Sequence, residues 1–202
     1  MRVVSQRNAI IITFFIIGLV GIAWGIFQYI DYAMVRTNEA ASLAYSGLLE
    51  KMQASDDDKT AKTAVAQKAE QFIHQYPKTV YADMTRLMLA GIAVEESHAV
   101  AAKTYLKAVQ DKHGPLAHIA RLRLARVLAS EQQYTEALST LDKVKSGEFF
   151  SLYQSAKGDI YVAMKELTKA NEAYQKALQA LPNGALDPWL QAKQADIGGG
   201  AG

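Results

Sequence analysis

The chain has 202 residues, half of them apolar, and its 22 basic and 20 acidic side chains give a formal net charge of +2. Because binding a polyphosphate requires a surplus of Lys and Arg, this nearly equal number of basic and acidic residues argues against a nucleic-acid-binding protein. The chain has no cysteine, which excludes disulfides, zinc fingers and thiol catalysis.

The first predicted element is a membrane span over residues 9–30. No charged residue occurs between Arg7 and Asp31. A helix of this length covers roughly 35 Å, which is enough for a hydrocarbon core of ~30 Å. The alternative is a cleaved signal peptide, but its apolar stretch is usually only ~7–15 residues long. The sequence therefore favours an uncleaved anchor.

The span carries two further signals. Phe27, Tyr29 and Tyr32 are typical of an aromatic belt where a helix leaves the membrane. Gly21 and Gly25 form a GxxxG pair, which either lets another helix approach closely or simply faces lipid. These two glycines are the candidate contact with a second membrane helix.

The charges that flank the span predict its orientation. Arg2 and Arg7 precede it without any acidic residue, whereas mixed charges follow it from Asp31 onward. The positive-inside rule then keeps residues 1–8 in the cytoplasm. Everything from about Tyr32 onward is expected across the membrane.

The rest of the chain predicts an all-α domain. It is rich in strong helix formers and shows little alternation with a period of two residues. Short connections predict antiparallel neighbours. The predicted helices cover residues 34–53, 60–75, 80–95, 98–111, 115–131, 133–145, 149–164, 167–180 and 186–196.

The most specific pattern is a tetratricopeptide-like repeat from Gln154 to Pro182. Small residues are expected where the two helices of such a hairpin cross, aromatic residues between its turns, and proline after its second helix. Six of the eight signature positions match this pattern: Gly158, Tyr161, Ala170, Tyr174, Ala177 and Pro182.

Earlier repeats follow when the position of Ala170 is traced back along the chain. It falls on Ala137, Ala101 and Val65, at spacings of 33, 36 and 36 residues, against a usual period of about 34. The predicted fold is therefore a transmembrane helix followed by a tetratricopeptide-like solenoid of about four helical hairpins. The solenoid is expected over residues 31–196, and residues 197–202 are expected to form a flexible tail.

Such a solenoid presents a groove built mainly from the first helix of each hairpin, and that shape is suited to binding a protein partner. The charged groove positions can equally be ordinary solvated helix surface. They do not reproduce the Lys/Asn/Arg pattern that clamps a C-terminal carboxylate. The groove candidates are Arg86, Ala90, Ile119, Leu122, Arg126, Leu152, Ser155 and Asp159.

The sequence offers no constellation typical of catalysis, and we expect no enzyme activity, metal or cofactor. The four histidines are dispersed, and Gly114-Pro115 separates the nearest pair, His113 and His118. The acidic run Asp56–Asp58 is typical of a solvated loop before a helix. No glycine-rich phosphate loop and no nucleophile elbow occurs.

The whole layout resembles the YfgM-type proteins of Gram-negative inner membranes. The resemblance depends on one span that runs directly into a helix, on the stretch Phe72–Ala82, and on the C-terminal repeats. It implies an ancillary subunit of the SecYEG translocon that faces the periplasm and partners the membrane-anchored chaperone PpiD. The repeats would hold PpiD or emerging secretory polypeptides and so assist translocation and folding of secretory and outer-membrane proteins.

Two other functions stay open at this point. The chain could be a membrane-anchored periplasmic scaffold for envelope assembly or division, or a structural protein that self-associates. In each case the expected contacts are membrane lipid and other proteins, with no nucleic acid.

Overall fold

The computed structural model describes residues 2–54, 59–182 and 186–199, and these ranges contain helices and no β-strand. The predicted all-α fold is confirmed. The acidic run Asp56–Asp58 and residues 200–202 lie outside the described residues. The helices are α1 (Arg2–Ala54), α2 (Lys59–Gln75), α3 (Val80–Glu95), α4 (Ala99–Gln110), α5 (Pro115–Ser130), α6 (Tyr134–Leu141), α7 (Phe150–Ala163), α8 (Leu167–Gln179) and α9 (Pro188–Gly199).

Most helix ends lie within two residues of the predicted ones, but two C-terminal ends differ by three or more. Helix α6 ends at Leu141 and not at residue 145, because the chain turns there, with the Val144 N–H bonded to the Leu141 carbonyl at 3.4 Å. Val144 is nevertheless buried, so its apolar side chain fits the predicted core position without being helical. Helix α9 continues through Gly199, so the first residues of the predicted flexible tail are helical.

Helix α1 runs without a break from Arg2 to Ala54, about 80 Å at 1.5 Å per residue. Its part from Ile16 onward is long and apolar enough to cross a membrane, and the apolar window is not buried by any other part of the chain. Residues 31–40 are also exposed, and Ala41 is the first described residue of α1 that is buried. The predicted span and the first helix of the domain are therefore one element.

The chain divides into two compact units, Met1–Tyr81 and Ala82–Gly202. In the first unit, the Tyr45 ring of α1 lies 6.2 Å from the Phe72 ring of α2 and 5.5 Å from the ring of Tyr81 at the start of α3. Burial raises the pKa of Tyr45. The buried residues of α2 are spaced three or four positions apart, as expected for one face of a helix. They are Val65, Ala69, Phe72 and Ile73.

In the second unit one turn geometry occurs three times. It joins α3 to α4, α5 to α6 and α7 to α8, and its central residues Ser97, Gln132 and Lys165 have φ angles of 60°, 62° and 61°. The N–H of the next residue reaches the carbonyl five positions back each time, at 2.7, 2.9 and 2.9 Å. This is the Schellman arrangement of helix ends. Spacings of 35 and 33 residues show that it repeats with the hairpins.

These turns define the register of the repeats. Five residues after each turn centre stand Ala102, Ala137 and Ala170, and all three are fully buried. The predicted equivalent in the second hairpin, Ala101, is wrong by one residue and is only partly buried. Two adjacent alanines look alike in the sequence, but successive helical residues point about 100° apart.

The same register explains how each hairpin closes. In each hairpin a small buried residue lies seven positions before the turn centre. A large buried residue follows that small residue by sixteen positions. In the last hairpin a Cβ added to Gly158 would come within 2.3 Å of the Tyr174 ring. The three pairs are Ala90 with Leu106, Ala125 with Leu141, and Gly158 with Tyr174. The smallest residue therefore stands opposite the largest.

Apolar packing continues through the whole second unit. One cluster contains buried residues from every helix from α3 through α7, including Leu106, Leu124, Leu128 and the fully buried Tyr153. A second cluster joins α8 to α9, where Leu190 is 2 % exposed and packs with Tyr174. Helix α9 therefore covers the last hairpin.

We predict that Gly158→Ala lowers the free energy of unfolding by about 1–3 kcal/mol, because the buried Tyr174 ring must move to admit the new methyl group. Gly91→Ala is the matched control: nothing lies within 4 Å of its added Cβ, so it should be neutral or stabilise α3 by up to about 1 kcal/mol. Denaturant unfolding of the full chain, followed by circular dichroism, measures both. Equal effects of the two substitutions would contradict the hairpin interface described above.

Candidate functional site

The candidate site is the surface formed by the first helix of each hairpin, α3, α5 and α7, together with α9. We call it the A-helix face. Helix α9 belongs to it because Lys193 follows Asp159 by 34 residues, one repeat length, and the Lys193 Nζ lies 2.7 and 2.8 Å from the two carboxylate oxygens of Asp159. The sequence had predicted α9 as a helix but not as part of this surface.

The two predicted groove residues of α3 are largely buried. The Arg86 side chain is 14 % exposed and pairs with Asp83 at 2.8 Å. Ala90 is 1 % exposed and belongs to the hairpin interior. Counted back from the turn centres, Leu87 and Gly91 of α3 correspond to Leu122 and Arg126 of α5. The residues predicted on α3 are therefore wrong by one position, as Ala101 is.

Helix α5 places its three predicted residues on one side. Ile119 and Leu122 are half-buried and pack against the main core. Arg126 is exposed. Among the described residues its guanidinium has no hydrogen bond or ion pair, which leaves its charge available on the surface.

Helix α7 contributes an apolar and an acidic residue. Leu152 is 53 % exposed, and Ser155 is half-buried. Asp159 accepts a hydrogen bond from the Tyr174 hydroxyl at 2.7 Å as well as the two contacts from Lys193. Burial and this bond raise the pKa of Tyr174, burial having the larger effect. Asp159 is therefore neutralised within the chain.

Two cavities lie along the A-helix face. The one that involves α3 and α5 measures about 340 Å³ and is lined by Ala90, Gly91, Val94, Glu95, Leu106, Arg123, Arg126 and Val127. The one that involves α5 and α7 measures about 120 Å³ and is lined by Ala125, Arg126, Ala129, Ala156, Asp159 and Ile160. Arg126 borders both. The larger cavity lies at the low end of the size range of ligand sites, and both have mostly apolar linings.

Three residues of this surface were not among the residues predicted from the sequence. Gly91 opens the larger cavity, Lys193 neutralises Asp159, and Trp189 is 72 % exposed on α9. The 34-residue period, counted onward past Pro182, could have found Lys193. Gly91 needed the corrected register of α3.

Comparison with known proteins agrees with this architecture. A family profile described as a tetratricopeptide repeat-like domain matches residues 5–199. The chain is 31% identical to an ancillary SecYEG translocon subunit of Haemophilus influenzae over 179 residues, 87% of this chain and 83% of that protein. The chain belongs to the family of ancillary SecYEG translocon subunits.

Other members of this family also match most of the chain. The ancillary SecYEG translocon subunit of Neisseria gonorrhoeae is 26% identical over 161 residues, 79% of this chain and 75% of that protein. That of Aggregatibacter actinomycetemcomitans is 34% identical over 129 residues, 63% of this chain and 62% of that protein. No solved structure matches the chain significantly.

The glycines of the predicted span are not packed against other parts of the described chain. No described atom lies within 4 Å of a Cβ added at Gly21 or Gly25, and the same holds for Gly18. These glycines are therefore not needed for packing within the chain. Whether Gly21 and Gly25 contact another helix stays a prediction.

A polar cluster beside the A-helix face joins α5 to α7. The His118 ring stacks on Phe149 with centroids 4.2 Å apart, and its Nδ1 lies 3.1 Å from the buried Tyr153 hydroxyl. Burial, followed by the charge of Arg121, lowers the pKa of His118, while Glu148 opposes the shift. Burial raises the pKa of Tyr153. Within the described ranges no three acidic or histidine side chains lie close enough to hold a metal ion.

We predict that His118 makes the stability of the second unit pH-dependent. Because its pKa is lower in the folded state, its contribution is complete above the unfolded value of about 6.5 and is lost as the pH falls through the folded value. Thermal unfolding between about pH 7.5 and about pH 5 should show a smaller fall in Tm for His118→Gln than for the wild type.

The matched control is His113→Gln, at an exposed position between α4 and α5. This variant should follow the wild-type pH dependence. A constant difference in Tm between His118→Gln and the wild type across that range would show that His118 does not contribute in this way.

Proposed function

We propose that the chain is a single-pass inner-membrane subunit that associates with the SecYEG translocon through residues 9–30 and presents its repeats to the periplasm. There the A-helix face binds a PpiD-like chaperone or emerging secretory polypeptides, and assists translocation and folding of secretory and outer-membrane proteins. The single observation that carries this proposal is the unbroken α1, which joins an exposed apolar span to the helical repeats.

The anchor supports the membrane part of the proposal. Its described large apolar side chains, Ile11 and those from Ile16 to Ile30, are exposed, and lipid or another membrane helix would cover them. Arg2 and Arg7 before the span support a cytoplasmic N-terminus. The name of the relatives supports the translocon as the membrane partner.

The A-helix face supports the binding part. It combines apolar cavities with exposed apolar and charged side chains, a composition suited to protein contacts rather than to catalysis. The proposed role is therefore that of a non-enzymatic adaptor, which needs no metal or cofactor.

The mechanism is a raised local concentration. An anchor that holds the repeats beside the translocon turns each weak contact with a partner into a nearly intramolecular one. Residues 31–40 of α1, exposed and helical, extend about 15 Å at 1.5 Å per residue. They act as a spacer between the span and the first packed part of the domain.

We predict that single-cysteine variants will show the proposed orientation. Because the chain has no cysteine of its own, only the introduced thiol can be labelled. In intact spheroplasts a membrane-impermeant maleimide should label Gln175→Cys, at an exposed position of α8, and should leave Ser5→Cys unlabelled until the membrane is opened. The cysteine-free wild type is the control. The reverse labelling pattern would contradict the proposed orientation.

We predict that SecYEG subunits and a PpiD-like chaperone co-purify with the tagged full chain from mild detergent. Replacing Gly21 and Gly25 together by Leu should reduce recovery of the translocon, because bulky side chains keep another helix away. Ala23→Leu, on the opposite side of the span, is the matched control and should retain it.

The two parts of this experiment fail separately. If neither the translocon nor the chaperone is recovered with the wild type, with or without a crosslinker, the proposed function is wrong. If the glycine variant retains the translocon as well as the control does, only the assignment of the glycine face is wrong.

A further inference from the structure

The A-helix face continues in register onto α9. Each described A helix places one residue in a central row, and the four members of the row are Gly91, Arg126, Asp159 and Lys193. The contact of Lys193 with Asp159 links the last two. Leu190, 2 % exposed, fixes α9 against the last hairpin.

Among the described residues, the central row carries one charge without a charged partner. Asp159 and Lys193 neutralise each other through two short contacts, and Gly91 has no side chain. Arg126 is exposed and, in the part of the chain that the structure describes, pairs with no acidic group. In the lining of the larger cavity, Arg123 and Arg126 outnumber Glu95, so this part of the face is net positive.

The second helices of the hairpins show a different pattern. Lys103 pairs with Glu131 at 2.5 Å, Lys107 with Glu136 at 3.2 Å, and Lys143 with Asp111 at 3.3 Å. These contacts connect α4 and its end with α6 and its flanks, so charge on that side is largely satisfied between neighbouring hairpins. Arg126 has no equivalent ion pair with any residue that the structure describes.

Apolar space adjoins the free charge on both sides. Arg126 borders the cavity of about 340 Å³ beside Gly91 and the cavity of about 120 Å³ beside Ala129. Exposed apolar side chains extend this surface: Val94 is 52 % exposed, Leu152 53 % and Trp189 72 %. A large apolar side chain could enter the first cavity because Gly91 leaves its wall open.

We propose that the A-helix face binds a segment of a partner protein in which an acidic residue neighbours large apolar residues. The carboxylate of the segment pairs with Arg126, and an apolar side chain occupies the cavity beside Gly91. Charge complementarity selects this occupant over a basic or purely polar segment. The inference deepens the proposed function, since it names the chemistry of the partner that the A-helix face receives.

The test uses the full chain in lipid nanodiscs and three short fluorescent peptides. The peptides share one Leu-rich sequence and differ only at a central Glu, Gln or Lys, and binding to empty nanodiscs is subtracted. Fluorescence anisotropy at low salt should show the Glu peptide binding about fivefold tighter than the Gln peptide and tighter still than the Lys peptide.

Two variants assign the effect to Arg126. Arg126→Glu should reverse the order, so that the Lys peptide binds best. Lys176→Glu makes the same change of charge at an exposed position of α8 and should keep the wild-type order. Gly91→Leu should weaken binding of all three peptides about equally, because it fills the cavity without changing the charge.

The inference is overturned if the wild type binds no peptide, if it binds the Glu and Lys peptides equally, or if Arg126→Glu keeps the preference for Glu. Each of these results can occur while translocon subunits still co-purify with the chain, in which case the proposed function survives. Conversely, a correct charge preference without co-purification would contradict the translocon assignment alone.

Discussion

The contact between a small residue on the first helix of a hairpin and a large residue on its second helix determines much of this structure. Where Gly158 faces Tyr174, no room remains for even one additional carbon atom. Ala90 and Ala125 stand at the same place opposite leucines. Because protein interiors are close-packed, these pairs fix how near the helices approach and which residues remain outside. The A-helix face consists of residues of α3, α5, α7 and α9 that stay outside this packing.

The sequence predicted most of the fold because its strongest signals are local. A charge-free apolar run, helix formers between short connections, and the Gly158 and Tyr174 positions each have a direct structural meaning. The register of the second hairpin could not be obtained in this way, since Ala101 and Ala102 are identical neighbours. Their difference appears only when the Schellman turn at Ser97 is known, and an error of one residue rotates the predicted face by about 100°.

The same reason limits what could be predicted of the site. Arg126 and Asp159 were found because they follow from the register of α5 and α7. Their different roles, one charge free and the other neutralised, depend on Lys193, which lies in a helix outside the recognised repeats. The cavities depend on the absence of side chains at Gly91 and on the sizes of Ala125 and Ala156. Periodicity does not reveal such empty space.

Helix α9 therefore has two effects that cannot be separated. Leu190 covers the Tyr174 end of the last hairpin, which would otherwise expose its apolar core to water. The same helix brings Lys193 to Asp159, and without that contact the central row would present Arg126 beside an opposite charge one helix away. By ending the solenoid, α9 removes the negative partner from the surface and leaves Arg126 as the charge that a partner meets. The stability of the last hairpin and the polarity of the binding face are thus set by one helix.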